Sequence, residues 1–243
     1  MSGPAPGVAP GPGPTGILVI DKDLHFTSMD VCAIVRGRFR KGGAPKNTKV
    51  GHGGTLDPLA TGVLVVLVGK ATKLCDQIMA GEKEYEATID LSKRSTTDDL
   101  EGEQTTIDVA TIPTREAVVA AAAALTGRIM QRPPNFSAIK VGGKRAYAEA
   151  RKGHDVTLAA RPVDVHSFDI MAYAWPVATV RVRCGKGTYI RSLARDLGPS
   201  LGAGGMLTSL RRTRVGRFTI DQAQRLAEID RPLIAADLQS VDG

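Results

Sequence analysis

The sequence predicts an α+β fold in which a single mixed sheet is flanked by helices. Short apolar or alternating segments typical of strands are interleaved along the chain with segments of helical periodicity. Several strand patterns alternate between polar and apolar residues, as strands with one covered face do. No internal repeat or composition shift divides the 243 residues, so residues 16–243 are expected to form one domain behind a disordered Gly/Pro/Ala-rich leader at residues 1–15.

The first elements are a buried strand and a capped helix. Residues 16–22 are mostly apolar and predict the strand. Thr27 and Asp30 have the spacing of a capping box, which predicts a helix ending near residues 36–39. Glycines and a proline in the window 41–49 then predict a basic loop.

Four later segments have strand patterns. Residues 63–68 are an uninterrupted apolar run, and residues 85–91 alternate between apolar and polar side chains. Residues 161–170 predict a strand with an irregularity near His166. Residues 177–184 alternate without interruption, which is typical of a half-buried strand.

The remaining segments predict a loop and three helices. Residues 92–103 are polar and acidic and predict the loop, whereas the alanine-rich segment 115–125 predicts a structural helix. Thr188 is positioned to cap a helix that Gly198 ends. A short helix is expected at residues 221–228.

The charge distribution favours an anionic partner. The net charge is +7 with a pI near 9.5. Two windows without an acidic residue hold clusters of cations, namely Arg36, Arg38, Arg40, Lys41, Lys46 and Lys49 in the first and Arg211, Arg212, Arg214 and Arg217 in the second. These clusters suggest contact with a phosphate backbone, although the solvated face of a soluble protein has the same pattern.

Cysteine and histidine usage argues against a disulfide framework and against zinc. The three cysteines are far apart and odd in number, and the four histidines lack metal-ligand spacing. We therefore expect no metal and a reducing, cytoplasmic setting. Because every apolar run is far shorter than the roughly 20 residues of a membrane span, no membrane association is expected.

The segment GHGGTLDPLATG at residues 51–62 presents a carboxylate in a glycine-rich loop. Pro58 favours an extended backbone at Asp57. A Walker phosphate loop is excluded because six residues separate Gly62 from Gly69, and a dinucleotide fingerprint is excluded because the strand follows the loop. A turn whose aspartate caps backbone amides remains the alternative.

Two further side chains are candidates for function. Tyr85 lies on the inward face of its predicted strand, where a core tyrosine is the simpler interpretation. Arg191 would lie in the first helical turn after Thr188, where the helix dipole disfavours a cation by a few tenths to about 1 kcal/mol. This position raises the question of which group is the partner of Arg191.

Four ordered motifs together resemble the TruB-type tRNA pseudouridine synthases over nearly the whole chain. The first motif is the segment GHGGTLDPLATG at residues 51–62. The other three are KEY at 83–85, PNFSAIK at 134–140 with GKRAY at 143–147, and KGTYIRSL at 186–193. A later segment, LRR at 210–212, also fits the family pattern.

The resemblance implies a pseudouridine synthase catalytic domain that isomerises the uridine at position 55 in the TψC loop of tRNA. It implies Asp57 as the catalytic aspartate, Tyr85 as the residue that stacks on the target base, and Arg191 as the partner of the aspartate. His52 would fill the space that the flipped nucleotide leaves. The residues with implied substrate-binding roles are His52, Tyr189, Leu210 and Lys22.

The chemistry of these side chains is consistent with the implied roles. An ionised carboxylate can attack an electrophilic carbon or take a proton, and a neighbouring arginine favours the ionised form. Flipping a base costs a few kcal/mol, part of which an aromatic face such as Tyr85 can recover. The isomerisation has no net redox change and requires no cofactor. Whether Asp57 attacks the sugar, attacks the ring or acts as a base in a glycal route stays open.

The chain departs from the family pattern at several places. Asp23 stands where the family usually has proline, and Thr96 replaces the first acid of a T-D-T-x-D pattern whose last acid is kept as Asp99. The sequence up to Gly243 contains no predicted C-terminal domain of the PUA type. The lysines of the insertion at 41–49 are expected to supply compensating RNA contacts.

Two alternative functions stay open from the sequence. One is a non-catalytic protein that binds or folds tRNA, and the other is a pseudouridine synthase that acts on another RNA stem-loop. The resemblance implies a monomer that recognises the T-arm stem-loop of tRNA.

Overall fold

The computed structural model describes residues 13–134, 140–141, 144–145 and 158–241. The α-helices are α1 Ser28–Lys41, α2 Cys75–Ala80, α3 Arg115–Ala124 and α4 Ile190–Leu197. Short 3-10 helices occupy Gly69–Leu74, Pro199–Leu201, Ile220–Gln222, Leu226–Glu228 and Ala235–Asp237.

The strands are β1 Gly16–Lys22, β2 Val50–His52, β3 Ala60–Val68, β4 Lys83–Asp90, β5 Lys93–Ser95, β6 Gln104–Thr106, β7 Gly127–Gln131, β8 Lys140–Val141, β9 Lys144–Arg145, β10 Arg161–Ala174, β11 Val177–Cys184, β12 Met206–Val215, β13 Phe218–Thr219 and β14 Gln224–Arg225. Most of the predicted motif at 134–147, and most of the predicted leader at 1–15, lie outside the described residues.

The chain divides into two compact units. Unit 1 comprises the described residues up to 79 together with those from 217 onward, and unit 2 comprises those between 80 and 216.

In unit 1, β1 pairs antiparallel with β3 and parallel with β14, and β2 pairs antiparallel with β3. Helix α1 begins with a complete capping box, in which Thr27 Oγ1 accepts from Asp30 N at 3.1 Å and Asp30 Oδ2 accepts from Thr27 N at 2.8 Å. Its apolar side packs on the buried face of β1 and β3 to form the core of unit 1.

In unit 2, the strands follow the order β12-β4-β11-β10-β7, and the described pairings are antiparallel. Helices α3 and α4 contribute Val118, Ala122, Leu193 and Leu197 to a core shared with these strands. Strands β5 and β6 form a separate two-stranded sheet. The parallel pairing of β1 with β14, beside the antiparallel pairings of the other strands named above, confirms the predicted mixed α+β class.

The predicted strands are confirmed. Those predicted at 16–22 and 177–184 have the bounds of β1 and β11, whereas those predicted at 63–68 and 85–91 begin earlier, as β3 and β4. The expected irregularity near His166 is a register shift between Val165 and Ser167 in β10, which continues to Ala174. The predicted helix at 115–125 is confirmed as α3.

Three local predictions were wrong. The segment 221–228 is not one helix, because β14 pairs with β1 between two 3-10 turns. The segment 92–103 contains β5, which pairs with β6. Thr188 does not cap α4, since its hydroxyl donates to Gly185 O at 3.2 Å and Tyr189 is the N-cap residue.

Among the described residues, no helix is both long and apolar enough to cross a membrane.

Candidate active site

The loop that carries Asp57, residues 53–59, connects β2 to β3 in unit 1. Gly53 N–H donates to Val65 O at 2.8 Å. A side chain has no room there, because a Cβ on Gly53 would lie 2.5 Å from the Cγ2 atom of Ile78 in α2. Gly54 has a φ of 128°, which L side chains rarely adopt. These two glycines allow the loop to turn close against α2.

Leu56, the residue before Asp57, is held by Ser28 at the start of α1. Ser28 Oγ accepts from Leu56 N at 2.9 Å and donates to Leu56 O at 3.1 Å. Both residues are buried. One hydroxyl thus satisfies two backbone groups that would each cost about 1–3 kcal/mol if buried without a partner.

Pro58, the residue after Asp57, is held from the end of β1. Its carbonyl accepts from His25 N at 2.8 Å and from Lys22 Nζ at 3.5 Å. Lys22 is 0% exposed, and its ammonium group also donates to Phe26 O at 2.8 Å. Lys22 therefore helps to hold the loop in position. Its predicted contact with substrate stays a prediction.

Asp57 lies between these two anchored neighbours and is half-buried. Its carbonyl accepts from Ala60 N at 3.0 Å, which closes the turn into β3. His52 ends β2 and is also half-buried, and its carbonyl accepts from Cys75 Sγ at 3.3 Å. Unit 1 therefore holds Lys22, His52 and Asp57 of the predicted site residues.

In unit 2, Tyr85 and Leu210 share one face of the sheet. Tyr85 lies opposite Arg212 in the pairing of β4 with β12, and Leu210 lies opposite Ala87. Directly paired residues point to the same side, so Leu210 is a diagonal neighbour of Tyr85. Both side chains are partly buried and pack against the core of unit 2.

Two buried cations lie on this face and were not predicted as site residues. Arg212, opposite Tyr85, is 2% exposed, and Lys83 lies two residues before Tyr85 on the same strand. Burial lowers the pKa of the Lys83 ammonium, and the nearby positive charge of Arg212 lowers it further. For Lys83 a signal was present in the sequence, since it lies two positions before Tyr85 on an alternating strand, whereas the segment around Arg212 does not alternate.

Arg191 is the second residue of α4 and is 6% exposed. Its Nη1 atom lies 3.2 Å from Asp99 Oδ2 and donates to Thr97 O at 3.3 Å. The Asp99 carboxylate also accepts from Thr97 Oγ1 at 2.5 Å and from Glu101 N at 3.0 Å. Asp99 is therefore an acidic partner of Arg191 within unit 2, although the sequence pattern places it in a loop that flanks the motifs. The predicted pairing of Arg191 with Asp57 is untested.

A second pair lies one helical turn further along α4. Arg195 Nη1 lies 3.0 Å from Asp98 Oδ2. The consecutive acids Asp98 and Asp99 thus form ion pairs with two arginines that lie four residues apart on the helix. Asp98 has a φ of 63°, a conformation that aspartate tolerates better than most residues. Burial raises the pKa of the Asp98 carboxyl, while the charges of Arg195 and Arg191 act in the opposite direction.

Tyr189 directly precedes α4 and is anchored through its backbone. Its N–H donates to Gln131 Oε1 at 2.8 Å, and its carbonyl accepts from Gln131 Nε2 at 3.1 Å. The Arg161 guanidinium lies 5.4 Å from the centroid of the half-buried Tyr189 ring. These contacts fix the start of α4 and with it the position of Arg191.

Among the residues that the structure describes, no group of three or more His, Cys, Asp or Glu side chains is placed to hold a metal ion.

Comparison with known proteins identifies the family. Residues 42–190 match the family described as TruB family pseudouridylate synthase (N terminal domain), and residues 191–240 match the tRNA pseudouridylate synthase B C-terminal domain. This chain belongs to the TruB family of pseudouridine synthases. The predicted recognition and the predicted enzyme class, an isomerase, are thereby confirmed.

TruB relatives from several bacteria are similar over most of the chain. A protein of Arthrobacter sp. (strain FB24), named tRNA pseudouridine synthase B, is 50% identical over 221 residues, which cover 88% of this chain and 70% of the relative. The protein of that name from Thermobifida fusca (strain YX) is 51% identical over 222 residues, covering 88% and 74%.

Solved structures with a similar fold include chains longer than this one. A chain of "Crystal Structure of a Cbf5-Nop10-Gar1 Complex" is 29% identical with a TM-score of 0.67, and the match covers 88% of this chain and 53% of that one. A chain of "Structure of H/ACA RNP bound to a substrate RNA containing 2'-deoxyuridine" is 26% identical with a TM-score of 0.64, covering 88% and 52%. The present chain thus spans about half the length of these solved chains.

Proposed function

We propose that this TruB-family chain converts uridine to pseudouridine at position 55 in the TψC loop of tRNA, with Asp57 as the catalytic carboxylate. The observation that carries the proposal is the anchored loop. The backbones of Leu56 and Pro58, on either side of Asp57, are held by hydrogen bonds to Ser28 and to His25. Relatives about 50% identical to this chain are named tRNA pseudouridine synthase B.

The reaction breaks the bond between N1 of uracil and C1′ of ribose, turns the base and forms a bond between C5 and C1′. C5 loses a proton and N1 gains one, so the step is an isomerisation with no net redox change. A rigidly presented carboxylate suits this chemistry, because it can attack carbon or accept a proton without first reorganising.

The other site residues have proposed roles around the flipped base. Stacking on Tyr85 recovers part of the flipping cost, at about 1–3 kcal/mol for a base on an aromatic ring. Leu210 supplies an apolar wall beside Tyr85.

Arg191 is proposed to orient Asp57 and to favour its ionised form, while Asp99 holds the guanidinium in place. His52 is proposed to fill the gap that the flipped nucleotide leaves in the RNA. Tyr189 offers an aromatic side chain at the anchored start of α4 for a further substrate contact. We expect the protein to act as a monomer. Because the T-arm stem-loop is the part of tRNA that it is proposed to recognise, a T-arm hairpin alone should be a substrate.

The test is the substitution Asp57→Asn, which keeps size and polarity but removes the charge. We expect release of tritium from a C5-tritiated tRNA transcript to fall by at least about 10³-fold, since the reacting group is lost. The melting temperature and tRNA affinity should stay close to those of the parent chain.

The matched control is Asp76→Asn, which removes an exposed carboxylate from α2 of the same unit and should leave turnover unchanged. Full turnover in Asp57→Asn would refute the role of Asp57. A transcript with cytidine at position 55 should release no tritium, and release from it would point to another uridine or another RNA. A parent chain that binds tRNA but releases no tritium would favour the non-catalytic alternative.

A further inference from the structure

Five exposed lysines of unit 1 lie on two segments that the fold joins. We propose that they form a phosphate-binding surface for the tRNA backbone, an inference that rests on the proposed function. Three lie at the end of α1 and in the loop that follows it, and two lie in the 3-10 helix after β3. This lysine patch consists of Lys41, Lys46, Lys49, Lys70 and Lys73.

Backbone hydrogen bonds hold the two segments together. Gly69 N–H at the start of the 3-10 helix donates to Lys49 O at 2.8 Å. A 3-10 helix has 3.0 residues per turn, so Lys70 and Lys73 lie on the same side of it. Lysines more than 20 positions apart in sequence thereby become neighbours on one surface.

The loop between α1 and β2 has internal bonds that define its shape. Thr48 N and Thr48 Oγ1 both donate to Pro45 O, at 3.0 and 2.7 Å. Arg40 Nη2 donates to Lys46 O at 2.9 Å, and Ala44 N donates to Phe39 O at 2.9 Å. The lysines therefore extend from an anchored loop, which reduces the conformational entropy lost on binding.

The arginines and lysines of this region have different roles. Arg36 Nη2 donates to Val50 O at 3.1 Å and Arg38 Nη1 donates to Leu226 O at 2.8 Å, and with the bond from Arg40 these guanidinium groups fasten the loop and its surroundings. None of the five lysine ammonium groups forms an ion pair with any residue in the described part of the chain. The lysine ammonium groups are therefore available to an external anion.

The charge pattern selects a polyanion as the ligand. No Asp or Glu occurs between residues 31 and 56 or between residues 58 and 75, so the two segments that carry the patch have positive side chains and no negative ones. Ammonium groups on flexible stems bind phosphates as point charges and read no base edges. Such contacts persist from the bound substrate to the transition state, so they act on KM and leave kcat unchanged.

The decisive experiment replaces all five lysines with glutamine. We measure kcat and KM for full-length tRNA by tritium release between 50 and 200 mM salt. We expect KM to rise at least about 10-fold at the lower salt with kcat within twofold of the parent. The slope of log KM against log salt should fall by about 0.7–0.9 for each lysine that contacts a phosphate, and by about 2 or more in total.

Matched double variants separate the patch from net charge. Lys46→Gln with Lys49→Gln removes two charges from the patch, and Arg225→Gln with Arg231→Gln removes two exposed charges elsewhere in unit 1. The lysine pair should raise KM several-fold more than the arginine pair. Equal effects, or an unchanged KM and salt slope in the five-lysine variant, would overturn the inference. A parent chain inactive on tRNA would instead refute the proposed function.

Discussion

Arg191 shows how a single residue acquires a defined position through a partner that is distant in sequence. A cation in the first turn of α4 opposes the helix dipole, and its guanidinium is also buried. The Asp99 carboxylate at 3.2 Å offsets both costs, and bonds from Thr97 Oγ1 and Glu101 N hold that carboxylate in turn. A buried pair of this kind is sensitive to the loss of either member.

We predict that Asp99→Asn lowers the free energy of unfolding by about 3 kcal/mol, because the buried Arg191 guanidinium loses the carboxylate charge that lies 3.2 Å away. It should also lower kcat at least about 10-fold with little change in KM for tRNA, since Arg191 loses its fixed orientation. Urea denaturation and tritium release, measured at a temperature where the variant is folded, test the two effects.

The control for Asp99 is Asp196→Asn, which removes a more exposed carboxylate 2.8 Å from Arg195 Nε. Its cost should be below about 1 kcal/mol, with turnover unchanged. If Asp99→Asn were destabilised but turned over normally once folded, Asp99 would be structural only.

At the scale of elements, the start of α1 and the end of β1 together position the loop at residues 53–59. Ser28 lies in the first turn of α1 and bonds both backbone groups of Leu56. Lys22 at the end of β1 and the following His25 bond Pro58 O. The geometry of the candidate catalytic loop therefore depends on the correct packing of two secondary-structure elements.

We predict that Ser28→Ala lowers the free energy of unfolding by about 1–3 kcal/mol, because the buried backbone groups of Leu56 lose their partner. It should also reduce kcat more than it changes KM, since Asp57 is presented less precisely. Steady-state kinetics of the folded variant measure this difference.

Thr27→Ala provides the comparison for Ser28, because it removes the neighbouring helix cap without touching Leu56. Thr27→Ala should lower the free energy of unfolding by about 1 kcal/mol, which is comparable to the loss expected for Ser28→Ala, but it should preserve kcat. A parallel fall of kcat in both variants would show that stability alone accounts for the effect of Ser28.

At the scale of the whole molecule, the two units have separate hydrophobic cores, and each contains a buried cysteine. Cys32 lies in the core of unit 1 and Cys184 in the core of unit 2. Burial raises the pKa of each thiol to about 11. Cys75 is only half-buried, and its pKa is raised as well by burial and by the nearby Asp76.

We predict that iodoacetamide at pH 8 modifies Cys75 in the native protein and leaves Cys32 and Cys184 unmodified. A raised pKa keeps these two thiols protonated at that pH, and only the thiolate is nucleophilic. Peptide mass spectrometry after timed labelling measures the order in which the three cysteines react. All three should react in denaturing urea, whereas fast native labelling of Cys32 or Cys184 would contradict the packing described for that core.

The accuracy of the sequence predictions follows the range of the interactions involved. The capping box at Thr27, the strand faces around Tyr85 and the bulge near His166 were predicted because their determinants lie within a few residues of one another. The helix expected at 221–228 was wrong because a pairing with β1, some 200 residues away, decides that segment. The cap expected at Thr188 was wrong because its hydroxyl bonds the preceding turn instead.

The sequence by itself determined the family, the mixed α+β class and the elements that carry Asp57, Tyr85 and Arg191, since motif spacing and periodicity are local properties of the chain. Only the tertiary structure decided that Asp99 meets Arg191, that Ser28 holds Leu56, and that Lys49 and Lys70 lie on one surface. The physical reason is that such contacts depend on strand register, loop closure and helix packing, which bring together residues whose separation in sequence carries no periodic signal.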